Sequence, residues 1–150
     1  MTFSDTYFAN GNEVRLFEQA YHRRLPVMLT GPTGCGKTRL VEHMGMLLQR
    51  PVVTISCHDD LTSSDLVGRF MVTGGDVRWT DGPLPRAVKA GAICYLDEVV
   101  EARHDSLAIL HSLTVHRRAL YLDRADQVVH APETFMLVCS YNPAYRSSLK

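Results

Sequence analysis

The apolar positions of this chain fall into four short continuous runs, separated by stretches in which apolar residues recur at helical spacing. The runs cover residues 27–29, 52–55, 92–96 and 135–140. Such runs are typical of strands that are buried on both faces of a parallel sheet. The amphipathic stretches, which predict helices, cover residues 13–24, 38–49, 84–90 and 105–116. Alternating strands and helices predict an α/β fold with a largely parallel sheet flanked by helices.

Two pairs of β-rich segments interrupt this alternation. Residues 70–73 and 77–80 flank a glycine turn, and residues 120–122 and 127–130 flank a polar turn. Short β-rich segments around a turn predict hairpins, so we expect two inserted β-hairpins. The first hairpin carries Trp79, which is expected either to pack on the core or to project as a contact device.

A glycine-rich loop lies between the first strand and the helix that follows it. Its residues are Gly31, Pro32, Thr33, Gly34, Cys35, Gly36, Lys37 and Thr38. They fit the phosphate-loop pattern G-x-x-x-x-G-K-[ST] at every fixed position, with the required strand and helix on either side. The glycines let successive N–H groups face a phosphate, Lys37 is predicted to reach the β and γ phosphates during catalysis, and Thr38 to hold Mg2+. The loop therefore predicts a nucleoside triphosphate site, without distinguishing ATP from GTP.

Polar residues follow the third and fourth strands. Because the carboxyl ends of neighbouring parallel strands share one crevice, Asp97 is predicted to meet the Mg2+ held at Thr38. Glu98 is predicted to take a proton from an attacking water, although either acid alone often caps the next helix. Asn142 is predicted to orient that water, although an Asn before Pro143 is also ordinary turn chemistry.

Three other segments each allow two interpretations. Residues 7–11 either cover a bound adenine or simply pack against the domain. Residues 58–60 are expected to cap a helix and form a loop rather than hold a metal. Arg117 and Arg118 either interact with the negative end of a helix or contact a neighbouring subunit or its nucleotide.

The composition narrows the class of protein. The 150 residues suit one domain, and the 45% hydrophobic content is ample for a core. Sixteen basic residues balance sixteen acidic ones, which disfavours a general nucleic-acid binder. No apolar run approaches the roughly 18 residues of a membrane helix, so no membrane insertion is expected. The four cysteines form no CxxC pair, which disfavours zinc and suits a cytoplasmic protein with reduced thiols.

The phosphate loop, the Asp97–Glu98 pair and Asn142 resemble the Walker A, Walker B and sensor 1 elements of AAA+ ATPases. The two hairpins look like the insertions of the MoxR branch. From about residue 11 onward the chain resembles the CbbQ/NirQ/NorQ group more narrowly. The segments that carry this narrower resemblance are residues 31–39, 57–61, 65–69, 81–84, 93–103 and 140–143.

This resemblance implies ATP and Mg2+ as ligands, with Arg39 among the nucleotide-binding residues. It also implies a homo-hexameric ring that works with a von Willebrand A-domain partner to remodel a client enzyme, either Rubisco or nitric oxide reductase. Residues 1–150 are then expected to be the AAA+ nucleotide-binding α/β subdomain, ending before the arginine finger and the helical lid. Within such a ring, we expect the first hairpin to be the moving part that contacts the partner or client.

Two other functions use the same loop. One is a small phosphotransferase that phosphorylates a metabolite, and the other is a nucleotide-gated adaptor without turnover. Glu98 beside Asp97 favours water as the phosphoryl acceptor, and therefore hydrolysis.

Overall fold

The computed structural model describes residues 7, 9, 11–32, 34–99, 106 and 108–143. In chain order its elements are α1 (Glu13–His22), β1 (Val27–Thr30), α2 (Lys37–Leu47), β2 (Val52–Ser56), α3 (Ser63–Val67), β3 (Gly68–Thr73), β4 (Asp76–Asp81), α4 (Pro83–Ala90), β5 (Ile93–Asp97), α5 (His111–Thr114), β6 (Ala119–Leu122), β7 (Gln127–His130) and β8 (Met136–Tyr141). Within this part of the chain, no helix is both long enough and apolar enough to cross a bilayer.

The four apolar runs form one parallel sheet in the described residues, with strand order β1-β8-β5-β2. All four strands therefore end at the same edge, which we call the carboxyl edge. The α/β fold with a parallel sheet is confirmed. One detail differs from the expectation of neighbouring strands: β8 lies between β1 and β5, so the phosphate-loop strand and the Asp97 strand do not pair directly.

Each face of the sheet has its own apolar layer, because alternate residues of a strand point to opposite faces. On one face the strands pack against α1 and α2, through Phe17, Val41, Met44, Tyr95 and Val138 among others. On the other face they pack against α4 and β6, through Leu84, Val88, Leu96, Leu120 and Leu137 among others. The central strands β5 and β8 are buried on both faces, which explains their continuously apolar sequences. The edge strands β1 and β2 are only partly buried, contrary to the expectation from their apolar runs.

Both predicted hairpins are present, and they differ in burial. β3 pairs with β4 in the register Phe70↔Trp79, and most side chains of both strands are exposed. β6 pairs with β7, and its Leu120 and Leu122 are buried in the core. Trp79 is half-buried and belongs to neither core layer of the described residues, so the first hairpin projects.

Helix ends differ slightly from the expected ones. α1 ends at His22 rather than residue 24, because Arg24 adopts a left-handed backbone with φ of 58°. α3 is capped by Thr62 and Asp65 rather than by residues 58–60: Thr62 accepts from the Asp65 N–H, and Asp65 accepts from the Thr62 N–H. The helix predicted at residues 105–116 is not continuous: residues 105 and 107 lie outside the described residues, residues 109 and 110 form a turn, and α5 covers His111–Thr114 alone.

Candidate functional site

The phosphate loop crosses from the end of β1 to the start of α2 at the carboxyl edge. Gly34 and Gly36 have φ of 85° and 97°, and a Cβ added at either would meet no described atom within 4 Å. These positions thus require glycine for backbone conformation rather than for space. Gly36 is also the N-cap of α2, so the positive end of that helix opens at the loop.

The predicted binding residues lie together here, except Thr33, which is outside the described residues. Gly31, Gly36 and Lys37 are half-buried. The remaining ones are exposed: Pro32, Gly34, Cys35, Thr38 and Arg39. The loop backbone is therefore open to a ligand along most of its length.

Lys37 joins the loop to the end of β8. Its Nζ donates to the Gly31 carbonyl at 2.5 Å and lies 3.4 Å from the Tyr141 carbonyl. Tyr141 also accepts from the Gly31 N–H at 3.3 Å. These contacts hold the Lys37 ammonium group at the carboxyl edge, beside the Tyr141 carbonyl. The next residue after Tyr141 is Asn142, which is half-buried.

A connected set of hydroxyl and carboxylate groups lies under the loop. The Tyr95 hydroxyl is 3.4 Å from Thr38 Oγ1, 3.1 Å from Asp97 Oδ1 and 3.1 Å from Ser140 Oγ. Ser140 Oγ donates to Asp97 Oδ1 at 2.8 Å and accepts from the Glu98 N–H at 3.1 Å. We call these five residues the hydroxyl network. It joins α2, the end of β5 and the end of β8.

Burial fixes the protonation of two groups at this edge. It raises the pKa of Tyr95 above its ordinary value of 10, so the phenol keeps its proton at neutral pH. Burial, together with the charges of Asp97 and Glu98, raises the pKa of the Cys57 thiol to about 11. Tyr95 is therefore a hydrogen-bond donor, and Cys57 stays a neutral thiol.

Glu98 turns the chain away from the sheet. Its φ of 55° lies in the left-handed region, which a non-glycine residue adopts at a cost of about 1 to 2 kcal/mol. The bond from its N–H to Ser140 helps to hold this conformation. Backbone outliers of this kind are common at functional sites.

The residues at this edge suit a nucleotide with Mg2+. Hydroxyl and carboxylate oxygens are ligands that Mg2+ prefers, and Thr38 Oγ1 and Asp97 Oδ1 both lie within 3.4 Å of one phenol oxygen. An exposed glycine loop at a helix N-terminus suits a phosphate chain. Thus β8, although it separates β1 from β5, does not keep the predicted ligand pair apart.

The other sequence candidates lie outside the hydroxyl network. Tyr7 donates to Glu13 Oε1 at 2.8 Å, and its ring lies 5.2 Å from that of His43, so Tyr7 packs on the domain. Its neighbours Phe8 and Asn10 lie outside the described residues. Arg118 donates to the Phe135 carbonyl within its own chain.

The remaining sequence candidates, Arg117 and residues 58–60, lie in exposed turns. Arg117 is exposed. Residues 58–60 form an exposed turn before the α3 cap.

Sequence reasoning missed Tyr95 and Ser140. Each precedes a predicted site residue by two positions, Asp97 in one case and Asn142 in the other. Residues two apart on a strand share a face, so a lone hydroxyl at this spacing in an apolar run was the available signal.

Comparison with known proteins gives one family and several relatives. The family described as AAA domain, dynein-related subfamily, matches residues 26–150. NorQ of Paracoccus denitrificans is 57% identical over 144 residues, which are 96% of this chain and 53% of that protein. CbbQ of Hydrogenophilus thermoluteolus is 54% identical over 144 residues, which are 96% and 54% of the two chains. The denitrification regulatory protein NirQ of Pseudomonas aeruginosa is 52% identical over 144 residues, which are 96% and 55%.

These relatives confirm the resemblance to the CbbQ/NirQ/NorQ group, and this chain spans about half the length of each. A solved structure from Cytophaga hutchinsonii, titled as a candidate ATPase, superposes with a TM-score of 0.66 at 19% identity. The superposition covers 89% of this chain and 39% of the other. At that identity the likeness shows a shared fold.

Proposed function

The chain belongs to the AAA domain family, in its dynein-related subfamily, and from that premise we propose that it hydrolyses ATP with Mg2+ to remodel a client enzyme. The observation that carries the proposal is the hydroxyl network beside the phosphate loop. It brings Thr38 and Asp97 to the phenol oxygen of Tyr95, and it ties the Glu98 N–H to Ser140, whose hydroxyl lies 3.1 Å from the same phenol oxygen.

Different residues of the carboxyl edge have different roles in hydrolysis. Loop N–H groups, the start of α2 and Lys37 bind the phosphates, with Arg39 close by on α2. Thr38 and Asp97 would hold Mg2+, which would neutralise charge on the β and γ phosphates. Glu98 takes the proton of the attacking water, and Asn142 orients that water.

Work on a client requires more than this domain. We infer a homo-hexameric cytoplasmic ring in which each subunit changes shape with its nucleotide, together with a von Willebrand A-domain adaptor. The support is the sequence likeness to NorQ, CbbQ and NirQ. By that likeness the client is Rubisco or nitric oxide reductase, and an arginine finger and helical lid complete the site.

Phosphate release from ATP tests the reaction. With Mg2+ and ATP as the only substrate, the full chain is expected to release phosphate. The Glu98→Gln variant is expected to bind ATP without releasing phosphate. A phosphotransferase would need an added metabolite before ATP is consumed. An adaptor would bind ATP and consume none under either condition.

A pull-down tests the partners. The Glu98→Gln variant with ATP should retain the adaptor and the client, whereas Lys37→Ala should retain neither. Equal recovery with both variants would separate partner binding from the nucleotide and contradict a nucleotide-driven ring.

A further inference from the structure

We propose that Tyr95 is a positioning residue, whose hydroxyl aligns Thr38 and Asp97 as a pair of Mg2+ ligands, with Ser140 as a second support for Asp97. This inference rests on the proposed function and deepens it. It assigns a role to two buried hydroxyl groups that no phosphate-loop pattern requires.

The tyrosine ring is held rigidly. Tyr95 is fully buried on β5, and its ring belongs to the apolar layer that includes Val41 and Met44 of α2. The hydroxyl emerges from that layer at the carboxyl edge, where three oxygens lie within 3.4 Å of it. A rigid ring with its oxygen between two other groups fixes their separation.

The number of protons on these groups determines which of them donate and which accept within the hydroxyl network. Ser140 accepts from the Glu98 N–H and donates its own proton to Asp97 Oδ1. Tyr95 has one proton, and the charged oxygen of Asp97 is its strongest acceptor. The Thr38 hydroxyl can then donate to the Tyr95 oxygen, which has lone pairs left.

This order suits metal binding. A hydroxyl that ligates a cation uses a lone pair, so its proton needs an acceptor on the other side, and Tyr95 supplies one for Thr38. Two donors on Oδ1 hold the Asp97 carboxylate in one orientation. Groups that orient metal ligands in this way usually change metal affinity by about 10-fold to 100-fold when removed.

Replacing Tyr95 by Phe isolates the hydroxyl, because the ring and its packing remain. A fluorescent ATP analogue is titrated into the full chain at a series of Mg2+ concentrations and also in EDTA. For Tyr95→Phe we expect the Mg2+ concentration that gives half of the Mg2+ effect to rise about tenfold or more. Affinity in EDTA should stay within about twofold of the unmodified protein, since the loop contacts are unchanged.

Tyr21→Phe is the matched control. The Tyr21 hydroxyl donates to the Thr134 carbonyl and accepts from Arg50 Nε, both at 3.1 Å, on an element outside the hydroxyl network. It should leave the Mg2+ dependence unchanged. Ser140→Ala, which removes the second donor to Asp97, should raise the required Mg2+ concentration in the same direction as Tyr95→Phe. Thermal unfolding without ligands checks that each variant is folded.

Hydrolysis adds a second measurement. Excess Mg2+ should restore the kcat of Tyr95→Phe, because a positioning defect weakens metal binding and leaves Glu98 in place. A Mg2+ dependence within about twofold of the unmodified protein in both Tyr95→Phe and Ser140→Ala overturns the inference. If Tyr95→Phe does not fold, an unchanged Mg2+ dependence in Ser140→Ala overturns it alone. If the unmodified protein binds no nucleotide, the proposed function fails together with the inference. If it binds nucleotide and only the Mg2+ dependence of the variants is unchanged, the inference alone fails.

Discussion

The carboxyl edge and the β3–β4 hairpin use side chains in opposite ways. At the edge, polar groups are buried and bonded to one another: Tyr95 and Ser140 have no exposed surface, and their hydroxyls have several partners. On the hairpin, apolar groups are exposed, with Val72 at 75% and Val77 at 65%. Buried polar groups must be paired to be tolerated, so each residue at the edge restricts its neighbours. The exposed hairpin side chains are under no such restriction from this domain.

The second hairpin shows that this contrast is not a property of hairpins as such. Leu120 and Leu122 of β6 are buried at 0% and 2%, in the apolar layer that includes residues of α4 and of the sheet. Their burial contributes to folding, whereas the apolar face of β3–β4 contributes little. The stability of this domain therefore explains why β6 carries apolar residues but does not explain why β3 does.

The largest expected effect is on nucleotide binding at the carboxyl edge. Lys37→Ala removes the ammonium group that we propose binds the phosphates, so nucleotide binding should fall below detection in a fluorescence titration. Lys89→Ala is the matched control, because Lys89 pairs with Asp81 at the base of the hairpin, 2.6 Å away. It should bind nucleotide normally. Undiminished affinity in Lys37→Ala would refute the phosphate-loop assignment.

A second change separates chemistry from binding at the same edge. Glu98→Gln keeps the shape of the side chain but removes its basicity, so hydrolysis should fall at least about a hundredfold while ATP binding is retained. Steady-state phosphate release and a binding titration measure the two properties. Glu133→Gln, at an exposed carboxylate paired with Arg24, should change neither. Near-normal turnover in Glu98→Gln would leave Glu98 with a structural role only.

A third prediction compares the two hairpins directly. Leu120→Ala opens a cavity in the core and should lower the free energy of unfolding by about 2 to 5 kcal/mol. Val72→Ala removes exposed methyl groups and should change it by no more than about 0.5 kcal/mol. Denaturant titration of the two variants gives both values. Similar losses would mean that the β3–β4 hairpin also packs on the domain.

The sequence predicted the elements better than their arrangement. Apolar runs, helical spacing and glycines act locally, so the strands, both hairpins and the phosphate loop could be predicted. The position of β8 between β1 and β5 could not, because strand order depends on packing between distant segments. For the same reason the bonds of Ser140 to Asp97 and Glu98, more than 40 positions away, had no local signal.

The last prediction concerns Trp79, where a small loss of stability is expected. Its Nε1 donates to Asp81 Oδ1 at 2.8 Å, and its ring meets that of Phe70 edge-on at 5.2 Å. Both contacts lie within the hairpin and its base. Since aromatic pairs add about 0.5 to 1.5 kcal/mol, Trp79→Ala should cost about 1 kcal/mol in the free energy of unfolding. Trp79→Phe, which keeps an aromatic ring but loses the bond to Asp81, should cost less.

If the hairpin contacts the partner or client, Trp79→Ala should keep basal hydrolysis within about twofold and lose client remodelling, since tryptophan residues often anchor interfaces. The hairpin leads through α4 directly into β5, which carries Asp97, so a change at the nucleotide has a short covalent path to Trp79. Chemical denaturation, phosphate release and client activation are measured on the same preparation. A loss of 3 to 5 kcal/mol, as expected for a core aromatic residue, would contradict the projecting position of Trp79. A stable variant with full activity on its client would instead remove the hairpin from the mechanism.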